Sequence, residues 1–288
     1  MTNYDPSRLD PVRFFTDEEL KKLHVLASEY PLSELFEISR ILEERSIDYA
    51  YVSSKIEGNA YSKKGAAFLL EYGFTEGGKL VSDALMLLDL HAAFLYVMTN
   101  AGGKDVCSKD FVKDLHAKTT ARELKDKYRG TARSVSSEVT GSSCKPLATP
   151  AQLDSEFDYL LSVLKTITDP FEQAVYAHCN LAYLRYFAAG NKRTARLMQA
   201  AVLVHHGITP VLMRSEDIAG YLSAVIGYCE TGDRRQYAQL FLSTYQHTID
   251  HLLVRSPEQL EAIAEDEKRL QEAWEKRRAR QLGKEAAS

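Results

Sequence analysis

The sequence is thin in the features that mark specialised chemistry. Only four cysteines occur in 288 residues, Cys107, Cys144, Cys179 and Cys229, and no two form a CxxC pair. That spacing argues against a zinc site, and free or buried thiols in a reducing compartment are the expectation. No excess of basic charge is present either. Lys and Arg number 36 against 40 Asp and Glu, a net charge of −4 with a pI near 6.1. A general affinity for nucleic acid is therefore not supported. No apolar signal-type run opens the chain, and residues 1–11 are polar. The longest apolar stretch, 85–98, is interrupted by Asp89 and His91. It reads as a core helix rather than a membrane span, and no membrane partner is expected. Cytoplasmic residence is the default, although a chain exported by a dedicated secretion machine would look the same. There are no internal repeats and no low-complexity linker.

What is present is helical periodicity, and the chain reads as all-α. Thr16 followed by Glu19 forms a capping box ahead of a helix through Leu26. A long helix starts at Pro31, carries Leu35, Ile38, Ile41 and Leu42 on one side, and stops at Gly58-Asn59. Ser62 and Ser108 are placed to cap further helices, and 80–101 is another. Between 128 and 150 the pattern changes. Gly130, Gly141, Pro146 and Pro150 punctuate a Ser/Thr/Val-rich stretch in which Val135 and Val139 flank Ser136 and Ser137. This predicts a short β-hairpin or flap over 132–143. Helices are then expected over 151–167, 170–188, 191–206, 215–230 and 233–254, with Asp233 as an N-cap. The tail from Pro257 is dense in charge, with Leu260, Ile263, Leu270 and Trp274 on a narrow apolar stripe. It predicts a last helix that lies on the domain or holds a partner.

The most informative segment is 185–196, RYFAAGNKRTAR. A long helix ends, Gly190-Asn191 make a turn, and a new helix opens with Lys192, Arg193 and Arg196. This is the physics of an anion site. The first amides of a helix lack internal partners and carry the positive end of its dipole. A glycine turn lets phosphate oxygens approach the backbone, and arginines add forked donors. A plain helix–turn–helix corner with surface arginines is the competing reading.

The same segment resembles the signature of the Fic/Doc (Fido) family. That signature runs His, any residue, Phe, any residue, an acid, Gly or Ala, Asn, Gly or Lys, Arg, with a further Arg three residues on. Phe187, Gly190, Asn191, Lys192, Arg193 and Arg196 match it. Ser53-Ser54-Lys55-Ile56-Glu57-Gly58 resembles the family's N-terminal inhibitory motif. The stretches around Asp114-Leu115-His116, Lys127-Tyr128-Arg129, His206-Gly207 and Gly232-Asp233 also follow the family's pattern. The likeness covers roughly 35–253. It implies a helical Fic fold with a β-hairpin flap and an inhibitory helix. It also divides the chain into an N-terminal region (1–75), a core (76–255) and a charged C-terminal helix (256–288). The family's roles carry over as follows. Gly190, Asn191, Lys192, Arg193 and Arg196 would bind nucleotide phosphate. Ser53 and Glu57 would inhibit, with Glu57 pairing Arg196. Val135 and Val139 would dock a protein target along the flap edge.

Two positions depart from the pattern. Where the family has its catalytic base, a histidine, this chain has Arg185, which is always protonated and cannot accept a proton. Where the family has the acid that holds Mg²⁺, it has Ala189, which offers no oxygen. A metal is therefore not expected, while ATP or another phosphate-bearing ligand stays open. His178 lies two turns before Arg185, roughly 10 Å along the helix, and reads as a packing residue. The first substitution adds a positive charge and the second removes a negative one, so the pocket is expected to be strongly cationic. Three functions follow: a binding or regulatory pseudoenzyme, an active transferase with altered catalytic groups, or a structural homo-oligomer. The first fits the substitutions best.

Overall fold

A computed structural model describes residues 3–37, 39–135, 137, 141–146, 150–253 and 265. Eleven α-helices are present among them: α1 (Asp17–Glu29), α2 (Leu32–Glu37), α3 (Ser39–Ile56), α4 (Lys63–Tyr72), α5 (Val81–Asn100), α6 (Lys109–Thr119), α7 (Pro150–Thr166), α8 (Pro170–Leu184), α9 (Asn191–His205), α10 (Ile218–Thr231) and α11 (Arg235–His247).

Their ends lie where side chains can satisfy free backbone groups. Thr16 Oγ1 accepts from the Glu19 amide and Glu19 returns the bond to the Thr16 amide, closing the capping box. Asp169 caps α8 through the amides of Phe171 and Glu172, with Pro170 in the first turn. Asp233 accepts from the Arg235 amide at 2.9 Å, as its sequence position suggested.

The centre of the molecule is the antiparallel pair α8 and α9. From Phe171 to Leu184 every residue of α8 is buried, so this helix is covered on all sides. Helix α9 packs against α8, α5 and α6. Helix α10 closes on α8, α3 and α11. The segment before α1 crosses the outside of α8, where the Glu172 carboxylate accepts from the amides of Phe14 and Phe15 at 2.7 and 3.0 Å.

Helix α5 with its short extension, Val81–Gly103, is long and apolar enough by composition to cross a membrane. Its packing is that of a core helix. Asp89 on it is fully buried, accepting from the Arg122 amide at 2.7 Å and the Arg122 guanidinium at 2.6 Å.

Three expectations are revised. Helix α8 ends at Leu184, four residues earlier than periodicity suggested, because the chain turns there to pair with the segment after Gly130. The expected β-hairpin does not form among the described residues. An antiparallel bridge joins Ala132 to Phe187, and Cys144 also takes part in a bridge. Val139 lies outside the described residues, as do all of the tail positions that carried the apolar stripe. The cysteines are not all free thiols. Cys144 and Cys229 form a disulfide with Cα atoms 6.0 Å apart, while Cys107 and Cys179 are buried thiols.

Candidate functional site

The site is assembled around the six residues between α8 and α9. Arg185 ends α8 in the left-handed conformation, with φ 49° and ψ 53°. A residue with a Cβ is disfavoured there by roughly 1–2 kcal/mol, so other contacts must hold it. Arg133, itself buried, supplies them. Its amide donates to the Tyr186 carbonyl at 2.9 Å and its Nε to the Arg185 carbonyl at 2.8 Å. The Arg185 Nε in turn donates to Ser137 Oγ at 2.8 Å. Two aromatic anchors follow. The Tyr186 hydroxyl donates to Asp154 while its ring stacks on Phe157. Phe187 lies flat against His116, with ring centroids 3.8 Å apart.

His116 is the post on which the turn rests. Its Nδ1 accepts from the Gly130 amide at 2.9 Å, which places the proton on Nε2. That nitrogen donates to the Ala189 carbonyl at 3.1 Å. Burial pushes its pKa down to about 4, so the ring is neutral at ordinary pH. Gly190 follows at φ 69°, where a Cβ would lie 2.7 Å from Thr120 Cγ2. Both the conformation and the space require glycine. The Asn191 carboxamide is committed to the same turn, since Oδ1 accepts from the Phe187 amide and Nδ2 donates to its carbonyl.

The cations expected at the turn converge there, and each of the three on α9 has a carboxylate. Glu57 at the end of α3 reaches Arg196 at 2.9 Å and Lys192 at 3.3 Å. Arg196 also donates through Nε to Ser53 Oγ, through Nη2 to the Ser53 carbonyl and through Nη1 to the Tyr221 hydroxyl, each at 3.0 Å. Burial pushes the Glu57 carboxyl up, but Arg196 and Lys192 outweigh it and its pKa ends below the ordinary value. Arg193 pairs with Glu123 at 2.6 Å. Among the described residues, the three α9 cations thus face two carboxylates, so they keep a positive excess. Burial lowers the Arg185 pKa, with Glu57 opposing. A guanidinium starts so far above neutrality that it stays charged.

Arg185 and Lys192 line a cavity with Cys179, Val225, Tyr228 and Cys229, and its volume is only ≈ 20 Å³. A second space of ≈ 20 Å³ lies beside Ser53, Arg196 and Tyr237. Each has room for about one water, against the roughly 300 Å³ or more typical of a small-molecule site.

The Fic/DOC family profile matches residues 106–203, which span α6 to α9 and hold His116, the 185–190 turn and the α9 cations. Over that stretch the chain is similar to the Fic/DOC family. Among curated relatives, it is 29% identical to "Protein adenylyltransferase Fic" of Nematostella vectensis over 220 residues, which is 75% of this chain and 51% of that protein. It is 26% identical to "Protein adenylyltransferase fic-1" of Caenorhabditis briggsae over 240 residues, 81% of this chain and 46% of the other. The chain thus spans about half the length of the curated relatives it matches. Among solved structures, Fic-1 (residues 134–508) of C. elegans superposes with a TM-score of 0.68 at 24% identity, covering 82% of this chain and 70% of that one. A Fic family protein of Desulfovibrio desulfuricans G20 superposes with a TM-score of 0.69 at 14% identity, covering 89% and 78%. These two likenesses establish the fold.

The structure brings together Ser53, Glu57, Lys192 and Arg196, as the paired motifs implied. Gly190, Asn191 and Arg193 are also at the turn, but their visible work is to build it. Val135 is exposed, 64% of its surface being open, on the segment that follows the Phe187 bridge. His178 is fully buried, with Nε2 3.0 Å from the Tyr221 hydroxyl and its ring stacked on Tyr237. It packs and does not face the turn. Arg133, Ser137, Glu123 and Tyr221 escaped sequence reasoning. None sits in a local pattern that announces a contact with a turn tens of residues away.

Proposed function

We propose that this Fic-family chain binds a phosphate-bearing ligand without transferring any part of it, acting as a regulatory pseudoenzyme. The observation that carries this reading is Arg185. It stands at the end of α8 with its guanidinium turned to Ser137, and no residue from 185 to 190 can accept a proton or offer a carboxylate to a metal. The anion would sit on the first amides of α9, where the dipole and Lys192 favour negative charge. Glu57 occupies the same cations, so ligand and Glu57 compete. Mg²⁺ has no part in this reading.

The curated relatives carry the name adenylyltransferase, and transfer of a nucleotidyl group to a protein hydroxyl is the alternative. One set of experiments separates the two. ATP titrations by calorimetry, with and without Mg²⁺, are expected to give little heat with the wild type. Glu57→Gly should bind, equally with and without the metal. Neither protein should label itself or a lysate with radiolabelled ATP. Absent heats in both proteins would defeat the anion reading, and covalent labelling by the wild type would defeat the pseudoenzyme reading. Arg185→His combined with Ala189→Asp is expected to gain labelling, because it restores a base and an oxygen ligand on the same frame.

A further inference from the structure

The Cys144–Cys229 disulfide stands next to the turn, and nothing in the preceding reading uses it. Cys229 is on the last turn of α10 and lines the small cavity beside Arg185 and Lys192. Cys144 belongs to 141–146, the stretch that leads away from the Arg185–Ser137 contact. Both cysteines are 4% exposed. The bond therefore ties the chain that follows Ser137 onto the wall of the cavity.

We propose that this disulfide is a redox site whose reduction by a dithiol opens the cavity beside Arg185 and Lys192. The proposal goes beyond the anion reading and stands whether or not the turn binds a ligand.

Besides a β-bridge at Cys144, the other attachments of 141–146 to described residues are few. Glu230 Oε1 accepts from Ser142 Oγ at 2.8 Å, from the Ser143 amide at 2.6 Å and from Ser143 Oγ at 3.1 Å. Three donors share one carboxylate oxygen at the surface, where water competes for every bond. Ile226 of α10 approaches Gly141, its Cδ1 lying 3.8 Å from where a Cβ would stand. Without the covalent tie, α10 holds the segment through these contacts only, among the described residues. The other end, at Ala132 and Arg133, keeps its bonds to Tyr186 and Arg185 and does not depend on the disulfide.

The chemistry is thiol–disulfide exchange. A thiolate of the dithiol attacks one cysteine sulfur and the S–S bond breaks. The other cysteine leaves as a thiolate and takes up a proton. The second thiolate of the reductant then attacks the mixed disulfide and departs as the oxidised, internally bonded reductant. Two electrons and two protons pass to the pair. Cys179 lines the same cavity but does not compete as an internal nucleophile. Burial pushes its thiol well above the ordinary value, so little thiolate is present. The reductant reaches the buried bond through a local opening of 141–146.

Cys179 provides a direct readout of cavity access, and Cys107, buried against Gln173, provides the control. The unreduced protein, denatured and alkylated, should take up two labels, at Cys107 and Cys179. In the native Cys144→Ser/Cys229→Ser variant, iodoacetamide should label Cys179 at least about tenfold faster than in the oxidised wild type, with Cys107 unchanged. Native wild type first treated with dithiothreitol should show the same selective rise at Cys179. Four labels on the unreduced protein would overturn the proposal. So would an unchanged Cys179 rate once the bond is gone, or a parallel rise at Cys107, which would signal general loosening.

Discussion

The two flanks of the 185–190 turn are held by opposite means. On the α3 side, Ser53 and Glu57 grip Lys192 and Arg196 through charge and charge-assisted hydrogen bonds in a nearly dry setting. Arg196 is 5% exposed and the Glu57 side chain 17%. On the α10 side, 141–146 is held by a covalent bond and by hydrogen bonds to the Glu230 carboxylate. A charged clasp responds to protons and to competing anions, whereas a disulfide responds to electrons. The same turn is thus bordered by two contacts of different chemistry. The contrast teaches that neighbouring walls of one site can be fixed by unrelated kinds of bond.

The largest expected effect comes from breaking the charged flank. Arg196→Ala leaves Glu57 buried without its main partner and strips Ser53 and Tyr221 of their donor. A loss of about 4 kcal/mol is expected, measured by urea denaturation at neutral pH. A loss below about 1 kcal/mol would show that Glu57 finds water or Lys192 at no cost. Breaking the covalent flank comes next. Cys144→Ser/Cys229→Ser removes a cross-link spanning 85 positions, and about 3 kcal/mol should be lost under non-oxidising and oxidising buffers alike. The wild type should match the variant only after reduction.

The third prediction concerns pH and the post beneath the turn. The His116 pKa falls from 6.5 in the unfolded chain to about 4 in the fold. The unfolded state therefore binds the proton first, and stability should decline as pH falls from about 6.5 towards 4. The decline amounts to about 3 kcal/mol for this group. His116→Gln should flatten that part of the profile, at some cost in stability at neutral pH. Glu57 also has a lowered pKa, so its contribution is complete above about 4.5 and is lost as acid is added below it. The two windows are separable because only the first disappears with His116→Gln. An unaltered profile in that variant would contradict the neutral, turn-bearing role of His116.

Much of the helical frame was legible because its signals are local. Thr16 with Glu19, Ser62 and Ser108 each cap a helix through an amide three residues on, while Asp233 stands one residue before the N-cap of α11. The Ser53–Glu57–Arg196 clasp was readable for a different reason: two motifs far apart in the chain resembled the two halves of one known contact. The early end of α8 has a long-range cause. Arg133 reaches across 52 positions to the Arg185 carbonyl, and nothing in the 128–150 composition reveals a partner at that distance. The cysteine pairing was hidden likewise, since four cysteines permit several pairings and sequence alone favours none. Gly190 was anticipated for the approach of a ligand, yet Thr120 is what excludes its Cβ. The residue was legible and the reason was not.

Helix α5 carries a consequence of its own. Its composition would let it settle in lipid, but Asp89 sits at its middle and finds its counter-charge only when Arg122, just beyond α6, docks against it. Until the two helices meet, that carboxylate keeps this long apolar helix in contact with water. Assembly of the central layer and concealment of its greasiest face are therefore one event, and neither can be completed without the other.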